Sequence, residues 1–439
     1  MVHRREVLVG AMALGAASTA SMAWAAEAAS LRTAAREAWL YTLPLNEIAS
    51  VRFRSALGGG VPGTFLPQRS LATPEARIVT TPNNDTIYAS AFVDLAQGPA
   101  TLTLPAFGAR YASVAIMDMW SDNVAVLGTR TTGPDAARFT LVGPNTAATP
   151  DAIRSPTNWV WILARILVDG PGDIEAARTV QAGVKIEAAP QRKPTLSAKR
   201  DGPWQGYFKA VNALLLETPP PGTDLGILRR MAPLGLGRAD FDPARFSPEE
   251  GAQIEAGVAD ALPLVKAGGF GVKAQGGWYV QAPDTGEFFQ DYSYRARIAL
   301  AGLAALPPVE AMYLNAIAPG GGVRFDGEGL WRLHFGKGEL PPVNAFWSLT
   351  MYEATPEGQF FLTPNPISRY AIGDRTPGLL TGADGSLDLW ISRTDPGGAR
   401  SANWLPAPAK GPFSAFLRAY LPKPDLLNGA YTPPPVVKV

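Results

Sequence analysis

Two aspartates set the terms of any chemistry this sequence can do. Asp85 lies in Asn83-Asn84-Asp85-Thr86, a polar turn leading into an alternating run, and Asp118 and Asp122 bracket Trp120 at the end of the run Tyr111 to Trp120. A carboxylate enclosed at a strand end rises in pKa and can act as an acid or base near neutral pH, so Asp85 and Asp118 are the candidate catalytic pair. Four residues of extended chain would hold Asp118 about 13 Å from Asp122, beyond the roughly 5 to 9.5 Å of glycosidase carboxylate pairs, so only a bend would bring those two together. Competing structural readings are an Asx-type turn at Asn83 and Asp85 and an ion pair of buried Asp118 with Arg110 or Arg130.

Around these acids stand residues suited to holding a polar ligand. Asn83, Tyr88, Trp120 and Arg130 belong to the N-terminal half; Arg369, Tyr370, Asn403 and Trp404 belong to the C-terminal half. Flat aromatic faces stack on rings, while Asn and Arg fix hydroxyls or carboxylates. The same residues serve equally as core and loop anchors, and Trp347 reads as core packing.

Other chemistries are excluded by scarcity. The chain has 2 histidines and 0 cysteines, which removes multi-histidine zinc sites and thiol nucleophiles. No metal or cofactor is expected. His334 sits between apolar residues with no nucleophile-elbow motif for a Ser-His mechanism. Charges balance, with 39 basic and 38 acidic residues, and no basic run marks a nucleic-acid partner.

Met1 to Ala25 reads as an export signal: Arg4-Arg5 in the basic end, Val7 to Ala17 apolar, and Ala23-Trp24-Ala25 as a small-x-small cleavage site. The Arg pair favours the twin-arginine route, and the apolar run is too short to span a bilayer. The expected location is periplasmic or secreted, with no membrane span.

Residues 26–60 read as an N-terminal helix broken at Pro44. Short apolar runs punctuated by Gly and Pro make 61–185 a β-sandwich module. Helical periodicity occupies 186–306, where Ser247-Pro248-Glu249-Glu250 has capping-box form. Strand texture returns over 307–439, and its length suits a jelly roll. The expected fold is therefore mainly β with a helical connector.

Pro82-Asn83-x-Asp85-Thr86-x-Tyr88 following Val79, together with Gly128 to Gly133 and Arg154 to Asn158, resembles the N-terminal member of a pair of domains of unknown function catalogued as 1254 and 1214. Ala345 to Tyr352, Pro364 to Tyr370 and Asn403 to Pro408 resemble the C-terminal member. The resemblance implies an immunoglobulin-like β-module, a helical connection and a jelly roll, and carries no activity, catalytic set or cofactor.

Three functions stay open: a carboxylate-dependent hydrolase or lyase acting on a glycan or small polar envelope metabolite, a non-catalytic protein holding a ligand between its modules, and a scaffolding or homo-oligomeric envelope protein.

Overall fold

A computed structural model describes residues 4–77, 80–147, 150–266, 271–318, 325–355 and 359–439, with side chains described from Leu31 onward except at 266. Val79 of the N-terminal motif lies outside the described residues, as do the side chains of the expected export segment. The chain is mixed, 28 % helical and 27 % strand, rather than mainly β.

Alternation along the strands explains the layers. In the strand Trp159–Leu167, Val160, Ile162, Ala164 and Ile166 enter one core while Trp159, Trp161, Leu163 and Leu167 enter another. Both faces of this strand are therefore covered, and side chains with period 2 must serve two different environments. It sits centrally in a five-stranded antiparallel sheet, between Thr86–Asp94 and Ala112–Met117. One face packs on a four-stranded sheet built around Ala100–Leu104 and Ala137–Val142.

The other face is covered by helices. α1 (Arg4–Leu57) continues through Pro44 instead of breaking there. Pro44 removes one backbone donor, but Ala34 to Ala49 is buried at nearly every position, so tertiary burial outweighs that loss. α2 (Ile174–Gly183) lies against the first module, whereas α3 (Trp204–Glu217), α4 (Leu225–Met231), α5 (Pro248–Lys266) and α6 (Tyr292–Ala301) pack around α1. The expected capping box opens α5: Ser247 Oγ accepts from Glu250 N at 3.3 Å, and Glu250 accepts from Ser247 N at 2.8 Å.

The C-terminal region repeats the logic. An eight-stranded sheet centred on Ala311–Ala316, Pro412–Pro422 and Val343–Ala354 packs against a four-stranded sheet containing Trp331–Phe335 and Leu387–Ser392. Phe413, Ala415, Leu417 and Ala419 enter that core, so Ser414, Phe416, Arg418 and Tyr420 are turned the opposite way. This second face meets the outer face of the five-stranded sheet, and the two enclose the candidate site. Among the described residues no helix is long and apolar enough to cross a membrane.

Candidate functional site

A cavity of about 400 Å³ lies where the modules meet. The N-terminal sheet contributes Tyr88, Ser90, Trp161, Leu163 and Arg165. The facing sheet contributes Tyr313, Phe416, Arg418 and Tyr420, while Gly302 to Ala305, just beyond α6, form a third wall. Val51, Leu66, Pro67 and Ala72 complete an apolar surround. A few polar groups against an apolar lining is the usual composition of a small-molecule site, and the volume falls in the usual range.

The Pro82-Asn83-x-Asp85-Thr86 turn ties the modules together beside this cavity. Asn83 Oδ1 accepts from Asp85 N and Thr86 N, as in an Asx turn, and Asn83 Nδ2 donates to the Tyr420 hydroxyl. Tyr352 donates its hydroxyl to Pro82 O at 2.7 Å, and Ser348 donates to Asp85 Oδ2 at 2.7 Å. Asp85 is thus not the turn's own acceptor. Burial raises its carboxyl pKa, opposed by the Ser348 hydroxyl and by the Arg418 and Arg375 guanidiniums.

Two buried arginines dominate the electrostatics, and their partners differ. Arg418 is fully engaged: it donates to Thr350 Oγ1 at 2.7 Å, to the Tyr352 hydroxyl at 2.7 Å and to Thr81 O at 3.0 Å. Arg165 donates from Nη2 to Ala304 O at 2.7 Å, but its buried Nη1 has no hydrogen-bond partner, and it forms no ion pair among the described residues. Burial pulls its pKa down, yet the surrounding Tyr88, Tyr313, Tyr420 and Tyr111 outweigh this and leave it raised, so it stays a cation. Glu310 feels this charge, but its oxygens are taken by the Tyr111 hydroxyl at 2.9 Å and Arg130 Nε at 2.6 Å.

Both carbonyls that serve these arginines come from left-handed, non-glycine residues, Thr81 at φ 51° and Ala304 at φ 67°. Such backbone costs about 1–3 kcal/mol and persists only where its surroundings hold it, commonly at binding sites.

The expected residues separate into three places. Asn83 and Tyr88 line the cavity, with Asp85 just behind them. Asp118 does not join them. Asp85 stands level with Val168, and Met117 pairs with Trp161, so Asp118 lies one residue further, opposite Val160. Eight residues along the strand are about 26 Å. This separation rules out Asp85 and Asp118 as acid and base for one bond.

The expected ion pair of Asp118 with Arg110 or Arg130 is also absent. Arg110 pairs with Asp173, and Arg130 with Glu310. Asp118 instead caps a bend, with Oδ1 accepting from Trp120 N at 2.8 Å and Asp122 N at 3.0 Å, and Ser121 turning at φ 71°. The bend brings Asp122 near, and Arg295 binds Asp122 at 2.6 Å. Burial, with Asp122 adding to it, pushes Asp118 up to about 7. Trp120 is wholly buried in the helical core. These groups are linked to α6 and do not line the cavity.

The C-terminal candidates hold loops. Trp404 donates its ring N–H to Ser392 O at 2.9 Å, and Asn403 bonds the backbone of Leu380 and Asp388. Arg369 donates to Ala402 O and Trp404 O. Tyr370 packs beside Tyr352 and Phe416, and Trp347 is core. His334 pairs with Asp388 at 2.7 Å. No group of three or more His, Cys, Asp or Glu side chains suited to a metal occurs among the described residues.

Sequence reasoning passed over the two arginines. Their signal is visible in WVWILARIL and PFSAFLRAYLP: one cation in a mostly apolar, doubly buried strand must have a partner or a purpose.

Residues 62–188 match the family described as Protein of unknown function (DUF1254), and residues 310–424 match Protein of unknown function (DUF1214). No curated protein matches. Among solved structures, the chain resembles the VPA0106 protein from Vibrio parahaemolyticus with TM-score 0.68 and 21 % identity, over 93 % of this chain and 100 % of that one. This likeness shows a common fold. An uncharacterized protein from Burkholderia cenocepacia aligns with TM-score 0.46 and 12 % identity, over 95 % and 96 % of the two chains. Arg165 falls inside the first matched segment and Arg418 inside the second, so the cavity is a joint product of both.

Proposed function

The chain belongs to the two-module family that joins DUF1254 to DUF1214, and for it we propose reversible binding of a small molecule with an apolar body in the cavity between the modules. The observation that carries this reading is the mostly apolar cavity of about 400 Å³ into which both sheets present charged or phenolic side chains. Catalysis by Asp85 and Asp118 is not favoured, since about 26 Å separates them along the sheet. A glycan also fits poorly, because its hydroxyls would face walls such as Val51, Leu66, Pro67 and Leu303 without partners.

Export supports a carrier or sensor in the cell envelope. Arg4-Arg5, the apolar run to Ala17 and Ala23-Trp24-Ala25 are read as a twin-arginine signal, with a periplasmic destination. The facing pairs of largely antiparallel sheets are read as an immunoglobulin-like sandwich followed by a jelly roll.

Thermal melting in the presence of amphipathic small molecules tests the function. A ligand at a hundred times its Kd adds about 2.7 kcal/mol of stability, and Ala72→Trp, which fills the cavity from its wall, should abolish the shift. A shift that persists in this variant, or conversion of the ligand to a product, would contradict reversible binding in the cavity.

A further inference from the structure

We propose that the ligand is a singly charged carboxylate on an apolar body, its carboxylate received by the Arg165 guanidinium and the Tyr88 hydroxyl. This rests on the cavity being a ligand site and goes further by naming the chemistry it selects.

Three observations converge. First, Arg165 is 5 % exposed and lines the cavity, yet its buried Nη1 is without a hydrogen-bond partner among the described residues. A buried donor without an acceptor is costly, and a guanidinium more so, because its desolvation is uncompensated. Second, Tyr88 is the direct cross-strand neighbour of Arg165, with the guanidinium 5.5 Å from the ring centroid. The Tyr88 side chain is half-buried, lines the same cavity, and has no hydrogen bond from its hydroxyl among the described residues. Two adjacent, uncommitted donors, one of them cationic, match an ionised carboxylate, whose two oxygens only accept.

Third, the charge balance selects a monoanion. The field of Arg418 is shared with Asp85, and Glu310 is committed to Tyr111 and Arg130. One positive charge, that of Arg165, is left for the ligand. A dianion would bring a second charge into an apolar cavity whose other lining cation, Arg418, is already bonded at three points and shared with Asp85. Beyond the carboxylate, Trp161 and Leu163 from the sheet and Leu303 from the third wall offer only hydrocarbon, since the Trp161 ring N–H is bonded to Ser90 at 2.8 Å.

The test is calorimetric titration of the full mature chain with matched pairs, from hexanoate to tetradecanoate and from benzoate to 4-phenylbutyrate, each against its neutral amide. Carboxylates should bind about 10- to 150-fold more tightly than their amides, the range for a hydrogen bond to a charged group. Arg165→Gln should bring that ratio to about one, with an unchanged circular-dichroism spectrum showing the variant to be folded. Tyr88→Phe should reduce the ratio in part. Equal binding of amide and carboxylate would overturn the carboxylate assignment and leave the cavity reading intact. Binding by no member of either series would overturn both.

Discussion

Tyr88 and Arg165 face each other across one row of the N-terminal sheet, and neither the phenol oxygen nor Nη1 has a hydrogen-bond partner among the described residues. Arg418, across the cavity, is bonded at three points. One cavity therefore holds an arginine bonded at three points and one bonded at a single point.

The two should respond oppositely to neutralisation. Arg418→Met strips donors from Thr350, Tyr352 and Thr81 and leaves buried Asp85 with Arg375 alone, so unfolding in urea should occur earlier by about 3–5 kcal/mol. Arg165→Met removes a desolvated charge with one hydrogen bond, so the unliganded protein should change by no more than about 1 kcal/mol or gain stability. Equal losses in both variants would show that Arg165 is as structural as Arg418.

The Asp118 bend predicts a pH dependence. Its carboxyl is held near 7 in the folded protein by burial and by Asp122, against an ordinary 3.8. Between these values the folded state binds more protons than the unfolded state, so stability falls as pH rises from about 4 to 7. Asp118→Asn keeps the acceptor for Trp120 N and Asp122 N and cannot titrate. Melting temperatures measured across this range should depend less on pH in the variant than in the parent, whereas parallel curves would place the proton elsewhere.

Gly257 in α5 should reverse a common rule. Alanine usually improves a helix interior over glycine by about 1 kcal/mol. Here a Cβ would stand 2.1 Å from Arg32 O and 2.8 Å from the Ala35 side chain of α1. The helices must separate, so Gly257→Ala should destabilise by about 1–3 kcal/mol. An unfolding midpoint at or above that of the parent would mean that α1 and α5 do not cross this closely.

Much of the frame was legible because it is local. The run Tyr111 to Trp120 holds the strand Ala112–Met117, and Ser247 to Glu250 folds as a capping box, since alternation and capping act within a few residues. Pro44 misled because its penalty is local and the burial that overrides it is not. Asp118 and Asp122 were placed apart by assuming an extended strand, and Ser121 bends it. Asn83 and Tyr88 were found from a polar motif. Arg165 was not, because the strand's apolar character hides that its two faces enter different environments: one is a dry core, the other a cavity.

The most direct measurement is a crystal structure of the protein soaked with a bromine-labelled phenylalkanoate, with anomalous scattering used to place the bromine. The account predicts one bromine peak against Trp161 and Leu303, and the carboxylate within hydrogen-bond distance of the Arg165 guanidinium and the Tyr88 hydroxyl. Bromine bound outside the cavity, or a carboxylate turned away from Arg165, would contradict it.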